Sequence, residues 1–172
     1  MRVVRLAHET DLAGWREAAR RLRAEGVAPE DVFWAVEGGG NLFAADITSE
    51  VGVGQADAGE GFTVSRDFVA VAERAVLNRS DERFGLLYRL LWRVKDEPRL
   101  MRDASDADVW RVQALARDVD RAAHKMKAFV RFRAVRDAAG EAFVAWFEPA
   151  HRVAEAPRRS SSGGSPTCGS RS

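Results

Sequence analysis

The chain has 172 residues, 46% of them hydrophobic, enough for one domain with a sizeable core. Twenty-seven basic and 26 acidic side chains leave a formal charge of +1, so the molecule as a whole is neither a polyanion binder nor an acidic decoy. The single cysteine, Cys168, excludes an intrachain disulfide and a zinc site built on several thiolates, and charges interrupt every apolar run of the opening residues; a soluble protein of the reducing cytoplasm is expected, with no leader and no membrane span.

In chain order, Arg2 to Ala7 reads as a strand, and Thr10 and Asp11 open a helix over about Leu12 to Glu25. Leu12, Trp15, Ala19 and Leu22 recur at spacings of three and four, and Gly26 supplies the stop. Val32 to Val36 is predicted as a second strand. Glu37 to Gly61 holds seven glycines among scattered acids and is expected as a long flexible loop; Gly38-Gly39-Gly40-Asn41 lacks the Lys-Ser/Thr of a phosphate-binding loop. Ser65 caps a helix through Leu77, and Ser80 or Asp81 caps another through Val94 that carries Phe84, Leu87, Leu91 and Val94 on one face.

Ser105 and Asp106 open the longest helix, with an apolar stripe of Val109, Val112, Ala116, Val119, Ala123 and Met126. The period then changes to two. In Phe129 to Val135, Val130, Phe132 and Ala134 alternate with Arg131 and Arg133, a turn covers Arg136 to Gly140, and Phe143 to Phe147 returns as a second strand. This predicts an antiparallel hairpin whose inner face is covered by helices. Beyond Val153 no large apolar residue remains, and 156–172 is expected as a disordered tail. The expected architecture is α+β: helices packed on a small, mainly antiparallel sheet in one domain over residues 1–155. The five tryptophans, Trp15, Trp34, Trp92, Trp110 and Trp146, are expected mostly in or at the core.

Charge is unevenly distributed: residues 1–60 carry six Arg against eleven acids, whereas 111–136 carry eight basic side chains against two Asp. Arg117, Arg121 and Lys125 lie four apart on one helical face, and Lys127, Arg131 and Arg133 extend the charge to the hairpin, a strip suited to a phosphate backbone. Arg89 and Arg93, with Arg79 and Arg83, form a second set near Trp92, where aromatic rings among arginines suit unpaired bases. The same residues equally fit a solvated helix surface in which Asp118 and Asp120 absorb part of the field. His124 stands four residues after Asp120, a spacing that lets a carboxylate orient the ring for acid/base work, and Glu148 with His151 offers a second pair. No motif for a metal, a cofactor or a nucleophilic triad is present, so no metal site and no cofactor are expected.

Three segments in order, Phe84–Arg93, His124–Arg133 and Phe143–Pro149, resemble the bacterial family called domain of unknown function 4130, the "probable DNA metabolism protein" family, over residues 1 to about 155. The resemblance implies a role in DNA repair or modification. It implies a partner as well, a radical-SAM protein encoded nearby or a uracil-DNA glycosylase-like domain fused in some members. His124, Lys125, Lys127, Arg131, Arg133 and Glu148 match the family's motif positions. The chain departs from the pattern at Asn78-Arg79-Ser80-Asp81 and Ala122, and its residues after Glu155 suggest a truncated or frameshifted gene product. Three functions follow as expectations: a DNA-binding repair accessory, a DNA-processing enzyme using His124 or Glu148 and His151, and a protein-interaction scaffold.

Overall fold

A computed structural model describes residues 1–37, 64–137 and 140–155. The predicted long loop and the predicted tail therefore lie outside the described residues. The elements run β1 (Arg2–Leu6), α1 (Leu12–Ala24), β2 (Val32–Val36), α2 (Arg66–Ala75), α3 (Arg83–Val94), α4 (Ala107–Phe129), β3 (Arg133–Asp137) and β4 (Gly140–Val144), with 3₁₀ turns at Pro29–Asp31, Leu100–Arg102 and Val153–Glu155. The fold is a mixed α+β domain, as expected.

Local chemistry explains most helix starts. Asp11 Oδ1 accepts from Gly14 N at 2.8 Å, and a Cβ at Gly14 would sit 2.3 Å from the other carboxylate oxygen, so glycine is what lets this cap close. Gly26, at φ +71°, ends the turn after α1 in the left-handed region. Ser65 Oγ accepts from Phe68 N at 3.2 Å, and Asp106 Oδ1 accepts from Asp108 N and Val109 N at 3.0 Å. The start of α3 differs from the sequence expectation: neither Ser80 nor Asp81 caps it. Ser80 N instead donates to the Oδ1 of buried Asn78 at 2.9 Å, and the helix begins at Arg83 without a side-chain cap.

The strands form two separate pairs. β1 and β2 are parallel, in register from Arg2 opposite Val32 to Leu6 opposite Val36, so this pair corrects the expectation of a mainly antiparallel sheet. Parallel pairing requires a crossover, and α1 supplies it. Trp15 on α1, Trp34 on β2, and Phe84 and Tyr88 on α3 interlock behind this pair, with ring centroids 6.0 Å apart for Trp15 and Trp34 and 5.7 Å for Trp34 and Tyr88. α3 is the central helix: Phe84, Leu86, Leu87, Tyr88, Leu90, Leu91 and Val94 are all buried, more than the one face that a period of 3.6 suggests. A helix apolar nearly all round belongs inside.

α4 packs along α2 and α3 through Val109, Val112, Leu115, Ala116, Val119 and Ala122. Past Ala122 its support ends. Ala123 and Met126 are only partly buried, and Lys127, Ala128 and Phe129 are exposed. The helix runs through Phe129, and the strand expected from Phe129 begins four residues later, at Arg133. β3 and β4 then pair antiparallel, Ala134 opposite Phe143 and Arg133 opposite Val144. The expected helical cover is absent: Phe132, Val135, Phe143 and Val144 are exposed, and among the described residues no helix lies packed over the hairpin.

Tyr88, the only tyrosine, donates its hydroxyl to Val27 O at 2.7 Å, and burial pushes its phenol up to about 12 from an ordinary 10.0. In the unfolded chain it ionises at the ordinary value. Its protonated form therefore contributes full stability below pH 10, and that contribution is lost as pH rises through 12. Tyrosinate absorbance of the native chain should rise about two pH units later than that of the chain in denaturant. Tyr88→Phe should cost about 1 kcal/mol in urea unfolding. Coincident native and denatured titrations would refute the burial of this hydroxyl.

Candidate nucleic-acid interface

The outer face of α4 carries Arg117, Arg121 and Lys125, all exposed, opposite Val112, Ala116 and Val119. Arg121 is ion-paired with Asp118 three residues earlier. Among the described residues, no acidic partner engages Arg117, Lys125 or Lys127. Arg131 Nη1 donates to Ala128 O at 2.8 Å and Val130 O at 3.2 Å, so this guanidinium caps the carbonyl end of α4, where the helix dipole favours a cation. Arg133 opens β3, exposed. Arg117, Arg121 and Lys125 thus form one exposed ridge on the outer face of α4, whereas Lys127 lies about 160° round the helix from Lys125, and Arg131 and Arg133 follow in the chain toward the hairpin.

One aromatic ring stands on that ridge, and others are exposed in the segment that follows. Trp110 lies seven residues before Arg117, hence on the same helical face, and is 56% exposed. Farther along the chain Phe129, Phe132, Phe143 and Trp146 are exposed, Trp146 to 84%. Trp15, Trp34 and Trp92 follow the expectation of core or half-buried positions, whereas Trp110 and Trp146 do not. Period and composition do not reveal which rings lack cover.

Arg89 and Arg93 lie elsewhere and are occupied. Arg89 grips Asp108 with Nε at 3.0 Å and Nη2 at 2.9 Å; Arg93 reaches Asp106 at 2.7 Å, with Asp108 and Glu97 at 3.4 Å. The Arg93 guanidinium holds the Asp106 carboxyl below the usual carboxylate range. These arginines fasten α3 to the start of α4, and their charge is locally compensated. Trp92, expected to serve them as a stacking ring, instead carries the Arg23 guanidinium 4.1 Å above it. Arg83 is buried, which removes it from any surface set.

Neither histidine is hydrogen-bonded to the carboxylate expected to orient it. His124 is exposed, and its expected partner Asp120 instead accepts from Arg74 Nη1 at 3.0 Å. Glu148 is exposed, while His151 is half-buried with Nδ1 accepting from Arg79 N at 3.4 Å. Burial lowers the His151 pKa, Asp118 opposes the shift, and Arg79, Arg152 and Arg121 add to it. A histidine kept neutral and bonded to the backbone serves as a tie. The apolar pocket lined by Leu12, Trp15, Phe68, Ala72 and Leu91 contains none of these residues. No cluster of three metal-ligating side chains occurs among the described residues, and none of their helices is long and apolar enough to cross a membrane.

One constellation escapes sequence reading. Glu9, after β1, meets both Arg83 and Arg152, the latter at 3.0 Å. Arg152 also donates from its backbone N to Leu77 O at 3.0 Å and from Nη1 to Asn78 O at 3.1 Å. Together these tie the segment after the hairpin to the α2–α3 loop. Separations of 74 residues or more leave no local signal.

A family model described as a domain of unknown function matches residues 81–159, a narrower stretch than the resemblance read over residues 1 to about 155. It spans α3, α4, the hairpin and the tie through Arg152, so the whole ridge lies within it. No curated protein and no solved structure matches the chain.

Proposed function

We propose, for a chain whose residues 81–159 belong to the domain of unknown function 4130 family, a DNA repair or DNA metabolism accessory of the cytoplasm. It binds nucleic acid along the ridge of α4 and the hairpin and acts with a partner enzyme. The carrying observation is that Arg117 and Lys125 are exposed on one face of α4 together with the exposed ring of Trp110, and that Lys127, Arg133 and the rings of Phe129, Phe132 and Trp146 are exposed in the segment that follows. Cations meet phosphates, and rings meet bases. The partner, a radical-SAM protein or a uracil-DNA glycosylase-like protein, is proposed from what the family resemblance implies. The enzyme reading has less support because Asp120 is taken by Arg74 and His151 is bonded to the Arg79 backbone, so neither histidine has its expected carboxylate. The scaffold reading keeps one observation in its favour, the exposed Val135 and Val144, which suit an apolar protein surface.

Fluorescence polarisation with labelled single- and double-stranded DNA at two salt concentrations tests the proposal. The expected dissociation constant is about 10⁻⁴ to 10⁻⁶ M and rises with salt. Replacing Arg117, Lys125 and Arg133 by alanine should reduce the salt slope by about 0.7–0.9 per lost phosphate contact. These positions are preferable to Arg131, whose loss also uncaps α4. A folded sample that binds neither probe would transfer the assignment to the scaffold.

A further inference from the structure

We infer that the outer face of α4 takes unpaired DNA, with a base stacked on Trp110 while the backbone follows Arg117, Arg121 and Lys125, and with the exposed hairpin rings as further stacking positions. This rests on the nucleic-acid reading above and names its substrate class. A strip for duplex DNA needs cations and hydrogen-bond donors, because the faces of paired bases are hidden in their stack. This ridge carries more than that.

Trp110 is more than half exposed and shares the outer face of α4 with Arg117 and Lys125, and Trp146, after the hairpin, is more than half exposed as well. Trp110 to Lys125 spans fifteen helical residues, about 22 Å, so the ring and the far cation belong to one line rather than one spot. Phe143 projects from the hairpin beside Ala134, a side chain too small to cover it. Large rings left in water are unfavourable unless something covers them intermittently. A single strand offers negative charge and apolar faces alternating along its length, which matches cations and rings together. An acidic peptide meets the cations without the rings, and an apolar surface meets the rings without the cations.

The test uses the full chain with a labelled oligo(dT) of about 16 nucleotides, the upper end of a single-strand site, and a duplex of the same length. Variants Trp110→Ala and Trp146→Ala alter exposed positions, and thermal unfolding checks that each remains folded. Single strand is expected to bind at least about tenfold tighter than duplex. Each tryptophan variant should weaken it by about five- to hundredfold, with the salt slope unchanged. Equal affinity for both probes, or tryptophan variants without effect while Arg117→Ala weakens binding, would overturn this inference and leave the ridge as a DNA site. Absence of binding to either probe would overturn both.

Discussion

Replacing Trp15 by alanine is expected to destabilise the fold by about 3–5 kcal/mol, the largest effect of any single substitution considered. Trp15 is 1% exposed, its Nε1 donates to Phe84 O at 3.2 Å, and its ring lies 6.0 Å from Trp34. It therefore joins three elements, α1, β2 and α3, at the one place where the parallel pair meets the central helix. Truncation removes its packing contacts and opens a cavity walled by side chains that are themselves held on several sides, so collapse can recover little. Urea unfolding followed by circular dichroism measures the loss. Trp110→Ala provides the internal comparison, since an exposed ring should change stability by no more than about 0.5 kcal/mol. A Trp15→Ala loss below about 1 kcal/mol would mean that the N-terminal unit is not packed on α3 as described.

Arg83→Ala is expected to cost about 3 kcal/mol, for a different reason. The residue is 1% exposed; Nη1 donates to Ser80 O and Nη2 to Glu9 O, both at 2.8 Å, and the guanidinium also pairs with the Glu9 carboxylate. Burial lowers its pKa against the raising influence of Glu9, so desolvation opposes the charge that these partners hold in place. Removing the side chain leaves two carbonyls without their donor, although Glu9 retains Arg152 at 3.0 Å. Arg89→Ala, which breaks an exposed pair with Asp108, should cost no more than about 1 kcal/mol. Equal losses for the two variants would show that burial does not distinguish these ion pairs.

Both substitutions remove buried side chains and leave the exposed cations of α4 in place, so they separate stability from binding. A variant weakened only in stability should retain its salt-dependent affinity at temperatures where it is folded. The ridge itself tolerates substitution because its outward side chains contact little else.

The chemistry of capping and periodicity made α1, α2 and α4 legible. Asp11, Ser65 and Asp106 act on amides two or three residues away, and the stripe from Val109 to Val119 faces the core because 3.6 residues make a turn. The row of Arg117, Arg121 and Lys125 was legible for the same reason, being a property of one helix. By contrast, an i, i+4 spacing permitted Asp120 to orient His124, but Arg74 from α2 took the carboxylate. Likewise Arg89 and Arg93 read as free cations, because Asp106 and Asp108 approach them only when α3 and α4 pack.

The hairpin shows the boundary most clearly. Period-two alternation near Phe132 and Phe143 foretold two antiparallel strands, since pleating is local, but it carried no information on whether another element would cover either face. By itself the sequence determined helices, caps, the cationic row and the existence of the hairpin, all set by interactions within a few residues along the chain. The tertiary structure alone decided that β1 and β2 run parallel, that Glu9 meets Arg83 and Arg152, and that Trp110 and Trp146 stay in water, because each depends on which distant surfaces fold against one another.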